Sequence, residues 1–158
     1  MRRALVLVAA AAAIVLVVAA VGTAGRGPKE KKVEKRGASI HVVEHATTDA
    51  VTNGTATDSA GNVLTFANDV FNSSNTQKVG TDQGYCVRIV AGTSWECIWT
   101  TFLPAGQITV EGPFYDAADS TLAVTGGTGA YRNVRGSMRL HARNAAGTEF
   151  DFVFRLIG

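Results

Sequence analysis

The chain has few cysteine and histidine residues, which are the usual ligands of zinc and other transition metals. Its 158 residues include two cysteines and three histidines. His41 and His45 share one predicted strand, where a separation of four residues spans about 13 Å, too far for one metal ion to bridge. Two thiolates without a nearby histidine also make a poor zinc site. We therefore predict no metal centre, and we expect His41, His45 and His141 to lie on the surface.

The segment that follows residue 36 lacks an excess of basic residues. Residues 1–36 carry eight Lys or Arg and two Glu, whereas residues 37–158 carry seven Lys or Arg and eleven Asp or Glu. The formal charge of +2 for the whole chain thus combines a basic first segment with an acidic second one. A nucleic-acid partner requires a basic surface that displaces counterions from phosphates. The second segment is therefore not expected to bind nucleic acid, and its length suits one domain.

The first 36 residues combine an apolar run with a basic segment. Arg2 and Arg3 precede apolar residues 4–21, and small residues follow, which is the layout of a secretory signal peptide. As a helix, this run is about 27 Å long, close to the thickness of a bilayer core, so an uncleaved membrane anchor is the alternative. We predict a signal peptide or membrane anchor over residues 1–24, a basic disordered linker over 25–37 and a folded domain over 38–158. The domain is expected to be secreted or extracytoplasmic, or tethered to a membrane by residues 4–21.

The segment beyond Gly37 lacks the 3.6-residue apolar period of an amphipathic helix. Short alternating or apolar runs recur instead between turn signals, which is typical of β-strands. Closure of such strands into a barrel leaves no exposed sheet edge. We therefore predict an all-β domain that forms an eight-stranded antiparallel β-barrel. The predicted strands cover residues 39–46, 62–68, 85–90, 95–103, 107–112, 121–125, 134–142 and 149–157, and predicted turns lie at 53–54, 60–62, 91–92, 104–106, 126–127 and 146–147.

The spacing of the two cysteines predicts a disulfide across a hairpin. Cys86 and Cys97 lie at equal distances from the centre of the predicted loop, so a symmetric hairpin places them directly opposite each other. A disulfide suits an oxidising compartment, in agreement with the predicted export. Two free thiols are the alternative.

Two polar residues fall on predicted apolar strand faces. Alternation places Glu44 on the same face as Val42, and it places Asn68 on the same face as Phe66. Burial would raise the pKa of the Glu44 carboxyl and leave it either paired or available as an acid or base. A salt bridge between Glu44 and Arg88 is the structural alternative.

Five short motifs occur in a fixed order between residues 66 and 136. They are Phe66-Ala67-Asn68-Asp69, Gly84-Tyr85-Cys86-Val87, Trp95-Glu96-Cys97, the run from Gly106 to Pro113 and the run from Leu122 to Gly136. Together they resemble the allene oxide cyclase barrel family, and the last run also resembles the related dirigent proteins. The resemblance covers about residues 40–158 and implies an eight-stranded barrel with an apolar lumen, which forms trimers in plant members.

The resemblance also implies a reaction inside the barrel that needs no cofactor. Plant allene oxide cyclases close an unsaturated fatty-acid epoxide to a cyclopentenone, and bacterial relatives of the barrel include cyclases of polyketide natural products. Glu44 and Asn68 match a lumen glutamate and a lumen asparagine of the family, which makes them candidate catalytic residues. The aromatic residues expected to line the ligand site are Phe66, Trp95, Trp99, Phe114 and Tyr115.

Three positions depart from the family pattern. Ala46 replaces an asparagine that helps to hold a water molecule on the epoxide oxygen, and Phe114 replaces a tyrosine. Cys86 matches a lumen cysteine but faces Cys97. We therefore expect an exported barrel that binds a different apolar small molecule, polyunsaturated or aromatic, and acts as a cyclase, an isomerase or a dirigent-like coupling template. The alternative is a non-catalytic ligand-binding or structural barrel.

Overall fold

The computed structural model describes residues 37–157, and these residues form nine β-strands. The leader or anchor predicted over residues 1–24 and nearly all of the predicted linker lie outside the described residues. Within residues 37–157, no helix has the length and apolar composition that a membrane span requires. The strands are β1 (Ser39–His45), β2 (Ala50–Asn53), β3 (Val63–Asn72), β4 (Lys78–Val90), β5 (Ser94–Leu103), β6 (Gly106–Tyr115), β7 (Ser120–Gly127), β8 (Arg135–Ala142) and β9 (Glu149–Ile157), with one 3₁₀ turn at Gly129–Tyr131.

The strands form one closed antiparallel sheet. Its order is β1-β9-β8-β7-β6-β5-β4-β3-β2, and an additional pairing of β1 with β3 closes the barrel. β1 pairs with residues 69–72 of β3, whereas the short β2 pairs with residues 63–65 of the same strand. β1 and β2 therefore occupy one position in the barrel wall. The barrel thus has eight strand positions, which confirms the predicted architecture.

All eight predicted strands are present, but the start of β4 and the presence of β2 differ from the prediction. β4 begins at Lys78, seven residues before the predicted start at Tyr85, because its first half pairs with β3 and β5 despite two glycines and several polar residues. β2 is an additional strand. Its four residues are all exposed. Their sequence has no alternation of apolar and polar residues that would have predicted a strand.

The predicted turn at Gly126-Gly127 is wrong. Both glycines belong to β7, where they pair with Thr109 and Ile108 of β6. The positive φ angle expected at this turn occurs instead at Gly129, where φ is 60°. Glycine indicates a turn in a sequence because it adopts such angles readily. Here the hydrogen bonds to the neighbouring strand outweigh that preference.

Alternation along each strand directs apolar side chains into the barrel. In β9, every second residue from Phe150 to Leu156 is apolar and buried. Large side chains fill the end of the barrel at which β1 begins and β9 ends. This filled end contains Val42, Ile108, Val124, Met138, Phe154 and Leu156, all of which are buried. The opposite end, where β1 ends and β9 begins, is less completely filled.

The predicted disulfide between Cys86 and Cys97 is present. The two residues are direct partners in the β4–β5 pairing, and their Cα atoms are 4.1 Å apart. This close spacing suits an antiparallel pair without backbone hydrogen bonds between the two residues. Both cysteines are buried in the barrel interior.

We expect reduction of the Cys86–Cys97 bond to lower the free energy of unfolding by about 3 kcal/mol, because the bond closes a short loop in the unfolded chain. Urea unfolding of the purified protein with and without reductant measures this difference. The variant with both Cys86→Ser and Cys97→Ser is the control, and reductant should not move its midpoint. Equal stability of the oxidised and reduced wild-type protein would contradict the prediction.

Candidate functional site

The less completely filled end of the barrel contains a cavity of about 60 Å³. This volume holds about two water molecules and is well below the 300 to 1,000 Å³ of a typical small-molecule site. Glu44 and Asp49 are the charged residues among the described residues of its lining. The apolar lining consists of Phe66, Trp95, Trp99, Phe114, Phe150, Phe152, Leu64, Leu140 and the Cys86–Cys97 disulfide.

An open groove of about 640 Å³ adjoins the cavity, and we call it the mouth groove. It is formed mainly by residues 114–119 and 140–147. Asp49, Phe114, Leu140 and Phe150 contribute to both the groove and the cavity lining. A ligand that begins in the cavity can therefore extend into the groove, and the two spaces together reach the size of a small-molecule site.

Four of the five predicted aromatic lining residues contact the cavity: Phe66, Trp95, Trp99 and Phe114. Tyr115 does not, because successive side chains of a strand point to opposite faces of the sheet. Its side chain is 41% exposed and borders the mouth groove. Ring contacts hold the lining in place, with centroids 6.0 Å apart for Phe66–Trp99, 5.5 Å for Trp99–Phe152 and 5.9 Å for Phe114–Phe150.

Asn68 connects two carboxyl groups at the wall of the cavity. Its Nδ2 donates to Glu44 Oε1 at 2.9 Å and to Asp49 Oδ1 at 2.7 Å. Its Oδ1 accepts hydrogen bonds from the backbone N–H groups of Thr47 and Thr48 and from the Thr48 hydroxyl. These three bonds determine the orientation of the amide, so that its nitrogen faces the carboxyl groups. The structure thus brings the two predicted catalytic residues, Glu44 and Asn68, into direct contact.

Asp82 is a third acidic residue at this position. It lies directly opposite Asn68 in the β3–β4 pairing, and its Oδ1 accepts a hydrogen bond of 3.3 Å from the Asn68 backbone. Its carboxyl group lies near that of Glu44, because Asn68 donates hydrogen bonds to both residues. Only 1% of Asp82 and 5% of Glu44 is exposed. The two side chains therefore form a buried acid pair.

The sequence analysis does not identify Asp82 or Asp49. Asp82 shares the inner face of β4 with Cys86, four residues later, so alternation would have indicated it if the predicted strand had begun before Tyr85. Asp49 lies between β1 and β2, where no periodic pattern shows which way a side chain points. Only the hydrogen bond from Asn68 reveals its role.

The environment of the acid pair favours a bound proton. Burial raises the pKa of Glu44 well above its usual value, and the negative charge of Asp82 raises it further, against the effect of the hydrogen bond from Asn68. Burial also raises the pKa of Asp82 to about 7. Partial desolvation raises the pKa of Asp49. Two buried carboxyl groups that lie close together do not both ionise readily, so burial and mutual repulsion favour a proton on the pair.

Arg88 does not form the salt bridge to Glu44 that was considered from the sequence. Its guanidinium group pairs instead with Asp58 at 2.6 Å and with Asp116 at 2.7 Å. It also stacks on the Trp95 ring, 3.9 Å from the centroid. Arg88 therefore connects β4 to two loops at the mouth of the barrel and holds Trp95 in position. Glu44 consequently lacks this basic partner.

The three histidines lie away from the cavity. His41 and His141 are exposed on the outer wall, where they contact Asp151 and Asp119 respectively. His45 is half-buried and stacks on Phe71, with ring centroids 4.0 Å apart. Residues 37–157 contain no cluster of His, Cys, Asp and Glu side chains that has metal-binding geometry.

We expect Asp82→Asn to raise the free energy of unfolding at pH 8 by about 1 to 3 kcal/mol. A carboxyl group whose pKa is raised by folding binds more protons in the folded state. Wild-type stability is therefore expected to lose this contribution as the pH rises from about 4 to above 7, and the variant avoids much of the loss.

Urea unfolding at pH 5 and pH 8 measures this difference. Glu111→Gln is the matched control, because Glu111 is exposed on the outer wall. The control should show the pH dependence of the wild-type protein. An Asp82→Asn protein with that same dependence would contradict the prediction.

The chain is similar in sequence and fold to known proteins. The sequence model of the allene oxide cyclase family matches residues 39–154. A pyocyanin demethylase is 23% identical over 76% of this chain and 100% of its own, with a TM-score of 0.60. A pterocarpan synthase dirigent protein is 20% identical over 78% of this chain and 98% of its own, with a TM-score of 0.61. An exo-specific intermolecular Diels-Alderase is 16% identical over 77% of this chain and 98% of its own, with a TM-score of 0.63.

These solved structures share the barrel fold with this chain, and their low sequence identities carry the comparison no further than the fold. The family match is more informative, because it spans well over half of the sequence and nearly all of the barrel. The chain belongs to the allene oxide cyclase family.

Proposed function

We propose that the barrel binds an apolar small molecule and catalyses its cyclisation or isomerisation without a cofactor. The observation that carries this proposal is the buried acid pair of Glu44 and Asp82 beside an aromatic cavity. Burial and the proximity of the two carboxyl groups favour a retained proton. A group that holds a proton near neutral pH is suited to general acid catalysis.

The cavity and the mouth groove would bind the ligand together. The reacting end would lie against Glu44 and the rings of Phe66 and Trp99, and the remainder would extend past Phe114 into the groove. The Trp99 Nε1 atom is buried and has no hydrogen-bond partner within residues 37–157, so it is available to an oxygen atom of the ligand. Contacts of this kind restrict a flexible ligand to conformations close to the reactive one.

Glu44 would act on the bound molecule in one of two protonation states. As a neutral acid it would donate a hydrogen bond or a proton to a ligand oxygen. As a carboxylate it would stabilise positive charge that develops during ring closure. Asn68 would position Glu44, because its own amide is held by the three hydrogen bonds from Thr47 and Thr48.

The structural neighbours support this type of reaction. They include proteins described as an intermolecular Diels-Alderase, a cyclase that catalyses a [4 + 2] cycloaddition and a pterocarpan synthase dirigent protein. We propose a substrate other than the epoxide of the plant cyclases, because Phe114 supplies a ring without a hydroxyl group to the cavity wall. Ala46 likewise lacks the side-chain amide of the asparagine that it replaces in the family pattern.

Export and assembly remain predictions. The Cys86–Cys97 disulfide is compatible with an extracytoplasmic location. The sequence alone is the basis for predicting secretion or membrane anchoring and for expecting no nucleic-acid binding. The family resemblance is the basis for expecting a homotrimer.

A non-catalytic barrel is the second candidate function. The observation that favours it is the small volume of the cavity, about 60 Å³, which admits only part of a ligand unless side chains move. In that case the protein would be a carrier or a structural protein, and the acid pair would have no catalytic role.

We expect Glu44→Gln to lower kcat by about 100-fold or more, because glutamine cannot transfer a proton, and to change KM much less. Turnover of a panel of lipid epoxides and conjugated polyenes, followed by mass spectrometry, measures the effect. Glu111→Gln is the control and should retain wild-type turnover. Tight binding of these compounds to a wild-type protein that converts none of them would favour the non-catalytic function.

A further inference from the structure

We infer that the ligand end that enters the cavity carries a positive charge, as in a quaternary ammonium or an N-alkylated aromatic heterocycle. The inference rests on the proposed function, because it specifies the chemical class of ligand for the same cavity. Three features support it: an excess of hydrogen-bond acceptors, the aromatic lining and the small volume of the cavity.

Acceptor groups outnumber donors around Asn68. Glu44, Asp49 and Asp82 place three carboxyl groups there, and Asn68 Nδ2 already donates to two of them. Asp82 Oδ2 is buried and has no hydrogen-bond partner within residues 37–157. Two of these buried carboxyl groups can be ionised together only if a nearby cation balances their charge. Without a cation, one of them binds a proton.

The part of the chain that the structure describes supplies no cation to this group. No lysine, arginine or histidine is among the described residues that line the cavity. β4 carries two basic residues, and both are paired with other groups. Asp58 and Asp116 hold Arg88, and Asp69 holds Lys78. A proton therefore compensates the carboxyl groups in the ligand-free protein. An organic cation would take the place of that proton. Its ion pair with the carboxylate would be stronger in the apolar cavity than in water.

The aromatic lining is suited to a cation. Six rings surround the cavity, and a cation over an aromatic ring face is attracted by the ring electrons. The protein already uses this interaction at Trp95, which carries the Arg88 guanidinium at 3.9 Å. An anionic head group would instead meet two carboxyl groups, those of Glu44 and Asp49, and no basic side chain among the described lining residues.

The volumes indicate how such a ligand would lie. A cavity of about 60 Å³ admits a small head group, such as a methylated nitrogen, while the apolar body remains in the mouth groove. Two of the groove aspartates, Asp116 and Asp119, are already paired with arginines. The acidic lining residues without an arginine partner within residues 37–157 therefore lie at the cavity end. Charge and size therefore favour entry with the cationic end first.

The groups that face the acid pair determine its pH dependence. Asn68 faces it from β3, Asp49 from the segment after β1, and Phe150 is the partner of Glu44 on β9. Asp69 also raises the pKa of Asp82, although its own carboxylate is paired with Lys78. The titratable groups that face the acid pair are all acidic, so the charge that attracts a cation increases as the pH rises.

Phenyltrimethylammonium and tert-butylbenzene are a matched pair of probes with nearly the same shape. The first has a positively charged nitrogen where the second has a neutral carbon. Titration of the full-length protein, followed by the fluorescence of Trp95 and Trp99, measures both affinities. At pH 8 we expect the cation to bind at least about tenfold more tightly than the neutral probe. The ratio of affinities should fall at pH 5.5 and in Glu44→Gln, whereas Glu111→Gln should keep the wild-type ratio.

The possible results separate this inference from the proposed function. Equal or tighter binding of tert-butylbenzene at pH 8 would overturn the inference and leave an apolar ligand site in place. Binding of neither probe would count against both. If Glu44→Gln does not fold, Asp82→Asn and the wild-type pH series replace it, and a ratio that is independent of pH in the wild-type protein would overturn the inference.

Discussion

The pairing of β1 with both β9 and β3 closes the barrel, and the interior arrangement depends on that closure. It places Glu44 of β1 opposite Phe150 on one side and Val70 on the other. The Glu44 carboxyl group thereby meets Asn68 and Asp82, which are distant in the sequence, and also the aromatic lining. In an open sheet, β1 would be an edge strand and water would surround its carboxyl group. Closure thus converts an ordinary glutamate into a buried acid.

The acid pair is costly for the stability of the barrel. Burial disfavours the charged form of each carboxyl group, and each negative charge disfavours the other. The hydrogen bonds of Asn68 offset part of this cost, and Thr47 and Thr48 hold Asn68 in the required orientation. The filled end of the barrel and the disulfide supply the stability that tolerates such a site.

Local patterns predicted part of the site. Period-two alternation placed Glu44 and Asn68 on inner faces, and the family resemblance indicated Trp95 and Trp99 as lining residues. The same rule excludes Tyr115 from the cavity, since its neighbour Phe114 points inward, although the family resemblance had suggested it as a lining residue. Alternation does not indicate which residues contact each other across strands. The salt bridge considered between Glu44 and Arg88 is therefore absent from the structure, where Arg88 pairs with two aspartates.

The sequence by itself determined the all-β class, the eight strand positions, the partner of each cysteine and the inward orientation of Glu44. These properties depend on alternation and on the symmetry of one hairpin, which are local. Only the tertiary structure decided that Asp82 and Asp49 join Glu44, that Arg88 pairs with Asp58 and Asp116, and that a small cavity opens into a groove. Distances across a closed barrel depend on the register of every strand pair, and no single segment of sequence contains that information.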